Sequence, residues 1–184
     1  MSNSIGTEFL QTVTKRFRSY KQLGDKTFEQ LQEKDLHFKP NEASNSIAVI
    51  IQHMSGNMLS RWTNFLEEDG EKAWRKRDEE FEVQGYTKEE LINIWEAGWS
   101  CVLNTLGSLT EHDLLKTITI RQEPLTVIDA INRQLAHYPS HIGQIMYIGK
   151  LIKNEEWKSL SIEKGKSAEY NQSTGVKDPA KLMK

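Results

Sequence analysis

The sequence predicts an all-α protein, a four-helix bundle with a short extended segment between the third and fourth helices. Three observations carry this: four apolar stripes at helical spacing, capping signals at helix starts, and one polar link long enough to cross a bundle. A chain of 184 residues has room for one domain with a real core, and 37% hydrophobic against 27% charged residues suits a well-solvated surface.

The first helix runs from about Ile5 to about Leu31, with Ile5, Phe9, Val13, Phe17, Tyr20 and Leu31 on one broad stripe. The second follows the N-cap candidates Ser44, Asn45 and Ser46 and runs to about Phe65. Its stripe is Ile47, Ile50, Ile51, Met54, Met58, Trp62 and Phe65. Residues 66–86 then form a polar link of roughly 20 residues, enough to run the length of a ~30 Å helix. Such a link permits parallel second and third helices, an up-down-down-up order; a loose surface loop is the alternative.

Thr87 followed by Glu90 is a capping-box pattern, and the third helix continues through Leu91, Trp95, Trp99, Val102 and Leu106 to a stop near Gly107. The stretch TITIRQEPLT alternates β-branched and polar residues, which favours a short strand or hairpin. The fourth helix is expected to start near Pro124 and run to about Ile152. These elements make residues 1–158 the bundle, and 159–184 a polar tail without periodicity.

Several function classes are excluded. The net charge is −2 with no long block of one sign, which gives nucleic acid or an anionic membrane no electrostatic handle. The N-terminus lacks the apolar run of a signal peptide, and the longest apolar stretch, IAVII at 47–51, is too short to span a bilayer. One cysteine, Cys101, allows no intramolecular disulfide. The expected location is the cytoplasm.

Chemistry concentrates in three histidines. His137 and His141 are four apart on the fourth helix and share a face one turn apart. His53 lies between Ile50, Ile51 and Met54, at the edge of the buried stripe of the second helix. Together they make a three-nitrogen site with open positions, as a catalytic metal requires; hydrogen-bonded core histidines are the bland alternative. His37 and His112 stand in polar contexts and read as surface residues. Pro139, inside the fourth helix between the two histidines, implies a kink.

Arg133 and Gln134 lie four and three residues before His137, so one or both could reach the pocket, where Arg133 could hold an anion or simply be solvated. Asn57, one turn after His53, is a candidate support for the site, and Gly56 and Gly143 are expected to let the second and fourth helices approach closely. Trp95 and Trp99 read as packing, and Cys101 as a small hydrophobe.

The stretches LHFKP at 36–40, NSIAVIIQHMSGNMLSRW at 45–62, WRKRDEEF at 74–81, INRQLAHYPSHIGQI at 131–145 and SLSIEKGKSAEYN at 159–171 carry a family resemblance. The chain resembles the DinB-like (YfiT-like) superfamily of bacterial metal-binding four-helix bundles, and within it a subfamily of uncharacterised proteins. The resemblance implies a metal triad of one histidine on the second helix and two on the fourth, here His53, His137 and His141. It also implies the up-down-down-up order, nickel or zinc in the site, and a homodimer. Pro139 departs from the expected pattern and bears on local geometry rather than ligation.

Two functions follow as expectations. In the first the protein is a metal-dependent thiol S-transferase, because characterised members of the wider superfamily use bacillithiol, mycothiol or glutathione. Its partners are then a low-molecular-weight thiol and a small electrophile, and no side-chain nucleophile is needed. In the second it is a non-catalytic metal-binding or stress-associated dimeric module with a closed pocket. A metal-dependent hydrolase is a further alternative.

Overall fold

The computed structural model describes residues 4–175, 177 and 178. The first long helix, α1 (Ile5–Glu29), is capped by the Ser4 hydroxyl, which accepts from the Thr7 amide. Its buried line is Leu10, Val13, Phe17, Gly24, Thr27 and Phe28. Ile5 does not join that line: it is 91% exposed, because the first turn packs toward Glu111 and Leu114 through Gly6 and Thr7 and leaves Ile5 to solvent. A single turn, α2 (Glu33–Leu36), follows. Of the three N-cap candidates for the next helix, α3 (Ile47–Trp62), the cap is Ser46, whose hydroxyl accepts from the Val49 amide.

The capping box of Thr87 and Glu90 forms as the sequence predicts and opens α4 (Lys88–Ser108). The TITI and EPLT segments pair as an antiparallel hairpin, β1 (Thr117–Ile120) and β2 (Glu123–Thr126). Pro124 is therefore a strand residue rather than a first-turn residue, opposite Thr119. The helix begins after it, with the Thr126 hydroxyl capping the Asp129 amide of α5 (Val127–Lys153). Pro139 lies inside α5, which runs on through it. A last short helix, α6 (Ser167–Gln172), stands in the polar tail, which is tied back where Asp178 makes a two-pronged pair with Arg16 at 2.7 and 2.8 Å. The protein is thus mostly helical, and among the described residues no helix is long and apolar enough to cross a membrane.

One hydrophobic core draws on all four long helices. Trp95 and Trp99 are fully buried within it, so neither offers a surface to a second chain. Neighbouring helices touch at ordered positions. Ser55 donates to the Ile94 carbonyl, and Thr105 to that of Trp62. The Phe28 ring meets Trp95, and Phe17 meets both Trp99 and Tyr138. At Gly98 an added Cβ would press to 3.0 Å on the backbone of Ser55, so the close approach of α3 and α4 needs glycine there.

A polar thread runs through the core. Tyr138, fully buried, accepts from Trp62 Nε1 at 2.9 Å and donates to Asn57 Oδ1 at 3.1 Å. Tyr138→Phe strands both partners, and an unmet buried group costs about 1–3 kcal/mol. Urea unfolding should show a loss of that size; an unchanged midpoint would mean that the two partners find water instead.

The link of residues 66–86 is no loose loop. Ser60 and Arg61, near the end of α3, both donate to the Gly70 carbonyl, and the Gly70 amide donates to Thr119 of the hairpin. Asp69 accepts from the amides of Arg121 and Gln122 in the hairpin turn at 2.9 and 2.8 Å. Both turn residues have positive φ, 57° and 65°, which side-chain-bearing residues rarely adopt, and Asp69 holds them there. The Glu71 amide, together with those of Gln122 and Arg121, depresses the Asp69 carboxyl to about 2, against the opposing effect of burial. The link thereby carries a short 3₁₀ turn, Asp78–Phe81, onto α3.

Candidate metal centre

His53, His137 and His141 converge as the sequence predicts. One ring nitrogen from each lies within 4.8 Å of the other two. His53 is buried in α3, and the ring centroids of His137 and His141 on α5 stand 5.6 and 5.0 Å from its own. The unbroken i, i+4 spacing across Pro139 leaves the rings of His137 and His141 4.7 Å apart.

Each imidazole is anchored through Nδ1. That of His53 bonds Glu80 at 3.0 Å, that of His137 faces Gln134 Oε1 at 3.3 Å, and that of His141 faces Gln144 Oε1 at 3.1 Å. A carboxylate only accepts, so His53 donates its Nδ1–H and keeps a lone pair on Nε2. Donation to the two amide oxygens does the same for the other rings. In that tautomer the Nε2 atoms of His137 and His141, 3.0 Å apart, would turn lone pairs toward each other. Two opposed lone pairs repel unless a cation sits beside both, so this geometry fits a bound metal ion.

The electrostatics agree. Burial, with the nearby His141, His53, Arg61 and Arg75, lowers the pKa of His137 to about 4. Burial also lowers that of His141, against the help of Gln144. Both rings are thus neutral at physiological pH, the form in which imidazole ligates. Glu80 titrates below its ordinary range, because its bonds to His53 and Arg75 outweigh the opposing effect of burial.

The supporting residues differ from those expected. Gln134 reaches the site and holds His137, as proposed from its spacing. Asn57 stands beside the site, but its side chain serves Tyr138 rather than His53. Gly56 and Gly143 do not bring α3 and α5 together: a Cβ at Gly143 would meet nothing within 4 Å, whereas one at Gly56 would collide with the Glu80 carboxylate. Gly56 is the space that Glu80 occupies. His37 bonds the Tyr86 carbonyl, and His112 stands in a turn apart from the three histidines.

Sequence reasoning missed Glu80, Arg75 and Phe81. Arg75 grips Glu80 through Nε and Nη2 at 2.7 and 2.9 Å, and the Phe81 ring lies 4.9 Å from that of His53. All three stand in the irregular link, within or next to the WRKRDEEF run. The one signal available was that this polar run punctuates a link otherwise read as a spacer.

Beside the histidines opens a cavity of about 280 Å³, lined by His53, His137, Asn57, Gln134 and several arginines. A family profile described as "Protein of unknown function (DUF1572)" matches residues 4–166. The chain belongs to that family. Comparison with curated proteins finds no match. The DUF1572 match spans α1 through α5 and so includes all three histidines, Glu80 and the cavity.

Proposed function

We propose that this DUF1572 protein is an up-down-down-up four-helix bundle that holds one divalent ion, zinc or nickel, and uses it in thiol S-transfer to a small electrophile. The order of inter-helix contacts supports the topology. Residues 55 and 62 of α3 meet 94 and 105 of α4, both numbers rising, as parallel helices require. Residues 53 and 57 of α3 meet 141 and 138 of α5, one rising as the other falls, and 28 and 17 of α1 meet 95 and 99 of α4 likewise. Antiparallel neighbours have that signature.

The observation that carries the functional reading is the set of three inward-facing imidazoles with a cavity alongside. A divalent ion held by three neutral ligands would keep its full charge and lower the pKa of a thiol brought against it. The protein's own part is to fix the rings through Glu80, Gln134 and Gln144, and to keep His137 and His141 unprotonated. In the reaction the thiol gives its proton to solvent, the new C–S bond forms, and the leaving group departs with its electron pair. The non-catalytic alternative calls for a site closed by packed side chains, and the cavity argues against it. The homodimer remains part of the reading on the resemblance, and the cytoplasmic location on the sequence features that suggested it.

The test is turnover of an aryl chloride by zinc- or nickel-loaded protein with a panel of low-molecular-weight thiols. Thiol-dependent chloride release should appear, and should vanish in His53→Ala although that protein stays folded. Consumption without thiol would point to the hydrolase; none with any thiol, from protein shown to hold metal, would sink catalysis.

A further inference from the structure

We infer that the cavity beside the histidines is a binding site for a dianionic group, a phosphate monoester or a pair of carboxylates, gripped by arginine. Five arginines line it: Arg61, Arg75, Arg77, Arg121 and Arg133. They come from α3, the 66–86 link, the hairpin turn and α5, so the fold collects them from four separate places.

Their partners are too few. Glu71 is shared among Arg61 at 3.0 Å, Arg121 at 2.9 Å and Arg75 at 3.7 Å. Glu80 is shared between Arg75 and His53, and the only carboxylate paired with Arg77 among the described residues is the solvent-exposed Asp78 at 3.8 Å, its guanidinium otherwise lying over the Phe81 ring at 5.1 Å. Three carboxylates thus face five guanidinium groups, and Arg133 makes no hydrogen bond or ion pair among the described residues. A purely structural network would be expected to balance, since unpaired like charges in one cavity repel.

The deficit reaches the interior. Arg61 is 4% exposed, and its Nε–H is a buried donor without a partner. Burial lowers its pKa despite Glu71, and the charges of Arg75 and Arg121 push the same way. A dianion between the guanidinium forks would relieve that repulsion and take up the spare donors in pairs, the geometry arginine offers to phosphate and carboxylate. Arg121 is held at the rim in the positive-φ turn clamped by Asp69, conformational cost spent on placing this side chain.

His53 and His137 line the same cavity, so a molecule anchored by its anionic end lies against those two imidazoles. The ligand's role as substrate or co-substrate rests on the transferase reading; anion binding itself does not. Calorimetry on the full chain, both metal-free and zinc-loaded, tests it with succinate as probe, and with inorganic phosphate on the metal-free form, against chloride at matched ionic strength.

One saturable site is expected for phosphate, succinate or both, and which of them binds distinguishes the sources. Arg133→Ala and Arg77→Ala remove side chains that hold no other buried group, and each should weaken binding about tenfold, as for loss of a charge-assisted pair. Melting temperature and zinc stoichiometry should not move, and Lys26→Ala, on the exposed face of α1, should bind as the parent does. Absence of saturable binding in both forms overturns the site, as does binding that survives both arginine substitutions. Anion binding without thiol turnover would leave the site standing and remove the transferase. Turnover indifferent to both arginines, with no anion bound, would do the reverse.

Discussion

His137→Ala is expected to abolish stoichiometric zinc binding, while His112→Ala leaves it intact. His137 is one of three groups whose nitrogens meet among the described residues, and a two-imidazole remnant on separate helices keeps neither geometry nor chelation. The loss should also show in stability. A ligand at 100 times its Kd stabilises the native state by about 2.7 kcal/mol, so zinc should raise the parent's melting temperature and leave that of the variant unmoved. Glu80→Gln keeps the shape but removes the charge behind His53, and loss of such a partner typically weakens metal binding about 10–100-fold. Protons compete for a ligand only below its pKa, so His137, lowered to about 4, stays available well below the 6.5 of a free imidazole. Equal metal content in the His137→Ala and His112→Ala proteins would refute the assignment.

The triad was legible because it obeys regular periodicity. His137 and His141 follow from the i, i+4 rule on a helix whose apolar positions are unmistakable, and His53 from its place at the edge of another stripe. The caps at Thr87 and Ser46 were legible for the same reason, since a cap is a local event. What supports the triad was not. Glu80 and Arg75 sit in a segment without period, and nothing local says that Gly70 will bond the hairpin or that Asp69 will clamp its turn. Gly56 was read as room for a neighbouring helix, whereas it is room for the carboxylate of a residue 24 positions away. Pro124 misled because a proline suits a strand at the edge of a two-stranded sheet as well as a first helical turn; Thr126, with its hydroxyl, decides the start.

Glu80→Ala should be the most destabilising single change outside the apolar core. The Arg75 and Glu80 side chains are 2% and 10% exposed, so the pair is desolvated on both sides. Removing the carboxylate leaves a buried guanidinium, and it also takes the acceptor from His53 Nδ1. Breaking such a pair from one side costs about 3–5 kcal/mol. For a chain of this size that corresponds to a fall of roughly 10 °C in melting temperature. The sign of the pH dependence is fixed: Glu80 is more acidic folded than unfolded, so its stabilisation is present above its ordinary pKa of 4.5 and is lost as the pH falls through the folded value. The gap between parent and variant should therefore be full at neutral pH and narrow in acid. Replacing both partners, Arg75→Met with Glu80→Met, removes both charges and refills the space, and such exchanges are often neutral or stabilising. The double variant should recover most of the lost stability, yet bind zinc as weakly as Glu80→Gln, since His53 still lacks its carboxylate. That split between stability and metal affinity is the decisive readout. If the double variant regains zinc affinity along with stability, Glu80 serves the fold alone and His53 needs no partner to ligate.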